Sequence, residues 1–331
     1  MQRKNRIFKE GRGLLMEDLK YRLSEEVKKI DEIIDSYLPK EEGLASTVMT
    51  AMNYSIHVGG KRLRPMLMLE TFRMLDSDTD ERFVYPFMAA IEMIHTYSLC
   101  HDDLPAMDND DMRRGQKSTH AKFGEAMGIL AGDGLLNYAF ETALGSFDLI
   151  QESDADDTRK LEMSRRIAGA LKILAAKAGI YGMIGGQVVD IESEEKPAGD
   201  VTMETIMFIH ENKTSAMIES SMMIGATLAG ASGAEIATVE KIARDVGVAF
   251  QIRDDILDIE GDGEILGKPI GSDERNGKTT YVSLVGLDAA KSDVREISDR
   301  AMANLGSLRG SDNGSGRFLA DLISGLVNRE K

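Results

Sequence analysis

Between His101 and Gly115 the chain reads HDDLPAMDNDDMRRG, with Asp102, Asp103, Asp108, Asp110 and Asp111 followed at once by Arg113 and Arg114. Carboxylates this close repel one another unless something positive sits among them. Their oxygens are the ligands Mg²⁺ and Mn²⁺ prefer, and Mg²⁺ is commonly held by one or two carboxylates plus substrate phosphates. The two guanidinium groups offer planar donor forks that match phosphate oxygens. Acid and base side by side point to a metal–phosphate site, with a solvated acidic loop as the plainer alternative.

A second acidic stripe lies far downstream at Gln251-Ile-Arg-Asp254-Asp255-Ile-Leu-Asp258. On a helix Gln251, Asp254, Asp255 and Asp258 fall within an arc of about 100°, leaving Val248, Ile252, Ile256 and Ile259 free to pack. An apolar helix showing one stripe of carboxylates suits a metal better than a core.

The elements that must position these groups are helical. The chain has 331 residues, 42% hydrophobic and 29% charged, with only 6 Pro against 20 Met and no Trp. Few breakers and little β-branched alternation favour helix. Leu19, Leu23, Val27, Ile30, Ile33 and Ile34 recur at helical spacing and predict a helix over 17–37, ending before Pro39. Further helices are expected at 43–57, 65–75, 82–103, 124–150, 158–182, 202–230, 284–305 and 316–328. Gly185-Gly186 reads as a break at a helix end, and 193–200 and 261–277 as loops.

His95 stands seven residues, two turns, before Asp102 and shares its face. Pro105 cannot continue the helix, so LPAM should bulge and bring Asp108 back toward Asp102 and Asp103. At 57–65 Gly59-Gly60 lets backbone approach a ligand, and Lys61, Arg62 and Arg64 add positive charge at the same turn. Lys213 lies inside otherwise apolar helix, either snorkelling or aimed at an anion. Lys268 and Lys278, on a flexible segment, suit a phosphate-closing lid.

The net charge of −16 argues against a nucleic-acid partner. It also requires any anion site to be made positive locally, by clustered bases or bound metal. The single cysteine, Cys100, excludes an internal disulfide and suits a reducing cytoplasm. The basic N-terminus lacks the apolar core of a signal peptide, and no uncharged run of membrane-spanning length is found.

Taken together, GGKRLRP (59–65), EMIHTYSLCHDDLPAMDNDDMRRG (92–115), GGQVVD (185–190), NKTSAMI (212–218), FQIRDDILD (250–258), LGK (266–268) and GKTTY (277–281) resemble, in order and spacing, the trans-isoprenyl diphosphate synthases. The likeness is to the bacterial short-chain farnesyl diphosphate synthase group. It implies an all-α isoprenoid synthase fold, with helices around a deep central cavity, as one polyprenyl synthase domain over 16–331 after a loose extension at 1–15. It implies a homodimer condensing isopentenyl diphosphate head-to-tail with an allylic diphosphate; the charge and the missing apolar segments lead to the expectation of a cytoplasmic protein with no membrane or nucleic-acid partner.

Carried over by position, the metal ligands are Asp102, Asp103, Asp108, Asp254 and Asp258, holding about three Mg²⁺ per active site, with Mn²⁺ as a substitute. Isopentenyl diphosphate falls to Gly60, Lys61, Arg64, His95 and Arg114, and the allylic diphosphate to Arg113, Lys213, Thr214, Gln251, Lys268 and Lys278. The catalytic set is Lys213, Thr214, Gln187 and Gln251, with Gln187 near the developing cation. Tyr97 and Ser98 would floor the product cavity, and the bulk of Tyr97 favours a C15 product. Geranyl or geranylgeranyl diphosphate synthesis is the alternative, and a catalytically silent partner subunit a remoter one. Lys117 and Val282 stand where relatives usually carry Pro.

Overall fold

The computed structural model describes residues 20–76, 78–261 and 278–327. The expected extension at 1–15, the LGK motif with Lys268, and most of the expected lid lie outside those residues. The described chain is all-α apart from one two-stranded hairpin. It divides into two compact units, one comprising residues up to Met66 with Met88–Thr142, the other Leu67–Phe87 with residues from Ala143 onward.

In the first unit α1 (20–36) buries Ile30 and Ile34 completely, as the three-to-four-residue spacing requires. Then come α2 (Ser46–His57), α3 (Leu63–Leu75) and α4 (Tyr85–Asp102), the last two divided between the units. Nearly every residue of α4 from Phe87 to Ile94 is buried, and each large aliphatic or aromatic side chain so buried contributes about 1.5–3 kcal/mol. The hairpin pairs β1 (Met112–Arg113) with β2 (Gln116–Lys117), and α5 (Thr119–Phe123) and α6 (Glu125–Leu144) follow. The turn residues Arg114 and Gly115 have φ of 52° and 77°, both left-handed, as a two-residue hairpin loop matching the twist of its strands demands.

The second unit adds α7 (Ser146–Glu152), α8 (Asp157–Ala178), α9 (Met183–Glu194), α10 (Met203–Ile209), α11 (Ala216–Leu228) and the long α12 (Gly233–Glu260). Three short to medium helices follow: α13 (Tyr281–Val285), α14 (Leu287–Gly306) and α15 (Gly314–Val327). The start of α12 carries a capping box between Ser232 and Glu235. Val248, Ile252 and Ile256 of α12 are buried against Val282, Val294 and Val327, so the apolar side of the acidic stripe packs as expected. Ile259 does not: it is 52% exposed, because it lies in the last turn, beyond the helices that cover its neighbours.

Three expectations are corrected. The helix expected over 202–230 is broken by a π-helical turn, His210–Ser215. Gly185-Gly186 does not end a helix but lies in the first turn of α9. The region 124–150 is two helices, with a break at Gly145. Among the described residues, the helical run Asp157–Glu194 is long and apolar enough to cross a membrane by length and composition, and about a third of its apolar stretch is buried. The expectation concerned uncharged runs, and this stretch carries Lys172 and Lys177.

Candidate active site

The acidic loop folds back on its helix. The Asp108 amide donates to the Asp102 carbonyl at 2.9 Å and the Asp110 amide to the Asp103 carbonyl at 3.1 Å. Asn109 takes a left-handed φ of 54° to make the reversal. The expected return of Asp108 to the end of α4 is therefore present in the backbone. Asp103, 2% exposed, accepts from Arg113 Nε at 2.7 and 2.9 Å. Burial opposes the Arg113 charge, and Asp103 more than compensates, raising its pKa. Among the described residues no three His, Cys, Asp or Glu side chains are gathered closely enough to hold a metal.

The hairpin fixes where the two arginines go. Its second strand is tied to α2 by Tyr54 Oη, which donates to the Lys117 carbonyl at 2.7 Å; Lys117, the departure noted above, thus sits in a strand rather than a loose loop. At the turn, Arg114 lies over the backbone of Gly60, where a Cβ would stand 2.9 Å from Arg114 Nη1. A side chain at position 60 would push this guanidinium aside.

The three bases of 61–64 have different fates. Lys61 is exposed. Arg62, at φ 46°, is buried and spent on structure: Nε meets Asp31 at 2.6 Å, Nη1 meets Glu92 at 2.7 Å and Nη2 meets the Ile56 carbonyl at 2.9 Å. Arg64, three residues into the same turn, has no partner on its buried Nε. Burial lowers the pKa of Arg64 and of Arg114 against an opposing pull from Glu92, with Arg114 adding to the lowering of Arg64, and Arg62 and Arg113 to that of Arg114. His95 is pushed far below the usual imidazole range, by burial first and then by Arg64, Arg114, Arg113 and Arg62. It is neutral. Gly60, Arg64, His95 and Arg114 thus make a locally positive site on an acidic chain. On the same helix, Ser98 Oγ donates to the His95 carbonyl at 2.8 Å. Tyr97 is 6% exposed and packs edge-on to His101, ring centroids 5.8 Å apart. Burial, with Asp102 adding to it, pushes its phenol up to about 12.

In the second unit the organising residue is Asp190 of α9, buried at 4% exposure. Lys213 Nζ lies 2.5 Å from Oδ2 and Lys278 Nζ 3.1 Å from Oδ1, with Lys278 also 3.3 Å from Glu194. Burial alone would raise the carboxyl, but the two lysines hold it below the ordinary range. Burial likewise opposes the charge on Lys278, which Asp190 and Glu194 restore and strengthen. Lys213 and Thr214 sit in the π turn. A π turn inserts an extra residue into a helix and occurs disproportionately at functional sites. Its close seating is visible at Gly186, where a Cβ would stand 2.2 Å from the Lys213 amide nitrogen.

Beside it, His210 is stacked on Tyr281 at 6.3 Å, and Asp255 accepts from the Tyr281 amide at 2.9 Å. Burial lowers His210 to about 4, against a weaker pull from Asp190. Gln187, Thr214, Gln251 and Asp258 are half-buried and Asp254 is exposed; Asp254 and Asp258 are one turn apart on α12. Sequence reasoning quoted Asp190 within its motif but assigned it no role, and it passed over His210 and Tyr281. The signal for Asp190 was an acid in an apolar helix, which demands a buried partner.

A family model described as polyprenyl synthetase matches residues 45–308. A farnesyl diphosphate synthase of Geobacillus stearothermophilus is 45% identical over 269 residues, 81% of this chain and 85% of that protein. The heterodimeric geranylgeranyl pyrophosphate synthase large subunit 1 of Arabidopsis thaliana is 39% identical, over 83% of this chain and 71% of its own length. A Helicobacter pylori geranyltransferase, solved in complex with magnesium and isoprenyl diphosphate, superposes with a TM-score of 0.74 at 28% identity, covering 93% of this chain and 96% of that one. The all-α architecture, the ordered motifs and these likenesses agree: the chain belongs to the polyprenyl synthetase family.

Proposed function

We propose that this chain is a prenyltransferase that condenses isopentenyl diphosphate head-to-tail with dimethylallyl and then geranyl diphosphate to make (E,E)-farnesyl diphosphate. The observation that carries the reading is the Arg64–His95–Arg114 group. Two guanidinium groups without a carboxylate partner among the described residues, beside a neutral imidazole, suit a diphosphate that must stay attached to its carbon. Gly60 and Lys61 complete that site.

The allylic diphosphate must leave, and its binding set is Arg113, Lys213, Thr214, Gln251, Lys278 and, beyond the described residues, Lys268. Lys213 and Lys278 are both paired to Asp190 and aimed by it, so their ammonium groups need little reorganisation to meet a departing anion. By type, Asp102, Asp103 and Asp108 at the end of α4, and Asp254 and Asp258 on α12, carry the hard carboxylate oxygens that Mg²⁺ takes. Mg²⁺ held by those carboxylates would supply further neutralisation of the leaving diphosphate. The Gln187 amide and the Thr214 hydroxyl present dipoles toward the allylic cation. The alkene attacks that cation, and the proton it loses passes to the departed diphosphate, so no side chain is needed as general base. Tyr97 and Ser98 floor the cavity. A cytoplasmic homodimer is the working assembly.

A C20 product is the second reading, favoured by the Arabidopsis relative and opposed by the bulk of Tyr97. Incubation with Mg²⁺, isopentenyl diphosphate and dimethylallyl diphosphate, followed by dephosphorylation and chromatography, separates them. Farnesol is expected. Geranylgeraniol would overturn the C15 assignment, and no condensation with any starter would overturn the enzyme reading.

A further inference from the structure

Glu92 lies on α4 one turn before His95, at 3% exposure. Its carboxylate receives Arg62 Nη1 at 2.7 Å. Arg62 is two residues from Arg64, and Arg114 rests on Gly60, two residues before Arg62. A buried carboxylate is thus placed among three guanidinium groups, two of which have no carboxylate of their own among the described residues. Its negative charge opposes the lowering of both Arg64 and Arg114. Asp31, the other partner of Arg62, is 44% exposed on its side chain, so water screens it and leaves Glu92 as the effective interior counter-charge.

We propose that Glu92 sets the affinity of the isopentenyl diphosphate site, acting as the shared counter-charge of Arg62, Arg64 and Arg114 rather than touching substrate. The inference rests on the proposed use of Arg64 and Arg114 as diphosphate ligands. Without an interior anion, three clustered guanidinium groups repel one another in the empty protein. With one, the cluster stands preformed and retains enough positive potential for a diphosphate. Glu92 is therefore a positioning residue with an electrostatic cost: it holds the 59–65 turn through Arg62 while weakening the attraction for the incoming anion.

The two effects have opposite signs in Glu92→Gln, which keeps the shape and an acceptor for Arg62 but removes the charge. KM for isopentenyl diphosphate is expected to fall about three- to tenfold, with KM for dimethylallyl diphosphate unchanged. Its dependence on salt should steepen. A purely structural role would move neither the salt slope nor KM in that direction. An unchanged or raised isopentenyl KM in a folded E92Q protein would overturn the proposal. If E92Q melts below assay temperature, the double variant R62Q/E92Q, which leaves no unpaired buried charge, carries the test. With a cation and an anion removed together, its isopentenyl KM should stay within about threefold of the parent, and a larger change in either direction would overturn the counter-charge account. Arg64→Ala separates the two levels. If R64A leaves isopentenyl KM unchanged, the site itself is misassigned. If R64A raises it at least tenfold while E92Q fails to lower it, only the role of Glu92 is wrong.

Discussion

Lys278 Nζ stands 3.1 Å from Asp190 Oδ1, on the same carboxylate whose other oxygen pairs with Lys213. One buried acid thus aims two ammonium groups carried by separate segments. Asp190→Asn removes the shared anchor while keeping the volume. KM for the allylic diphosphate is expected to rise about tenfold while that for isopentenyl diphosphate stays within twofold, since the two half-exposed ammonium groups lose the charge that orients them and a neutral amide returns only a weaker bond. Steady-state kinetics with each substrate varied in turn checks this; equal changes in both constants would mean Asp190 serves the fold alone.

Gly186 touches the π turn so closely that a methyl group cannot be admitted. The added Cβ of Gly186→Ala would meet backbone, the Lys213 nitrogen at 2.2 Å, which cannot rotate away. The substitution is expected to cost about 2–4 kcal/mol and to displace Lys213. Thermal melting and turnover should both drop, and an unaltered melting temperature would show that the turn yields.

Tyr97 is buried on α4 with its ring edge against His101. Tyr97→Ala removes the bulk proposed to floor the cavity, so the product should lengthen from C15 toward C20 and beyond. Chromatography of the dephosphorylated alcohols reads it. An unchanged C15 product would place the floor elsewhere.

His210 gives stability a specific pH window. Its folded pKa of about 4 lies below the ordinary 6.5. Between those values the unfolded chain binds the proton and the folded one does not. Stability is therefore full above about pH 6.5 and falls as acid moves through the window toward 4, by about 3 kcal/mol. His210→Phe, which keeps a ring to stack on Tyr281, should flatten the change in melting temperature between pH 6.5 and 4.5. Identical slopes for the two proteins would rule out His210 as the titrating group.

Local arguments fared well where local chemistry decides. Pro105 forbids another helical hydrogen bond, so the return of Asp108 was foreseeable, and the Asp108–Asp102 backbone bond realises it. The amphipathic spacing of α1 and, except for Ile259, the packing side of α12 followed from helical period alone. The hairpin at Met112–Lys117 was missed, because its turn places Arg114 rather than the usual Asn, Asp or Gly ahead of Gly115. The π turn had no local signal. Gly186, and Gly247 against Ser215, let neighbouring helices seat closely on the segment, and those contacts join residues far apart in the chain.

By itself the sequence determined the helical class, the order of the motifs and the residue types that can hold metal and diphosphate. These depend on composition and on spacings of a few residues, where helical geometry leaves little choice. Only the tertiary structure decided how like residues divide their labour. Arg62 and Arg64 are two residues apart, yet one is consumed by Asp31 and Glu92 and the other keeps an unpartnered Nε. Asp190 became a hub because folding brought Lys213 and Lys278 to its two oxygens. Which charge is neutralised at home and which is kept for a ligand depends on distances between segments, and no local spacing encodes them.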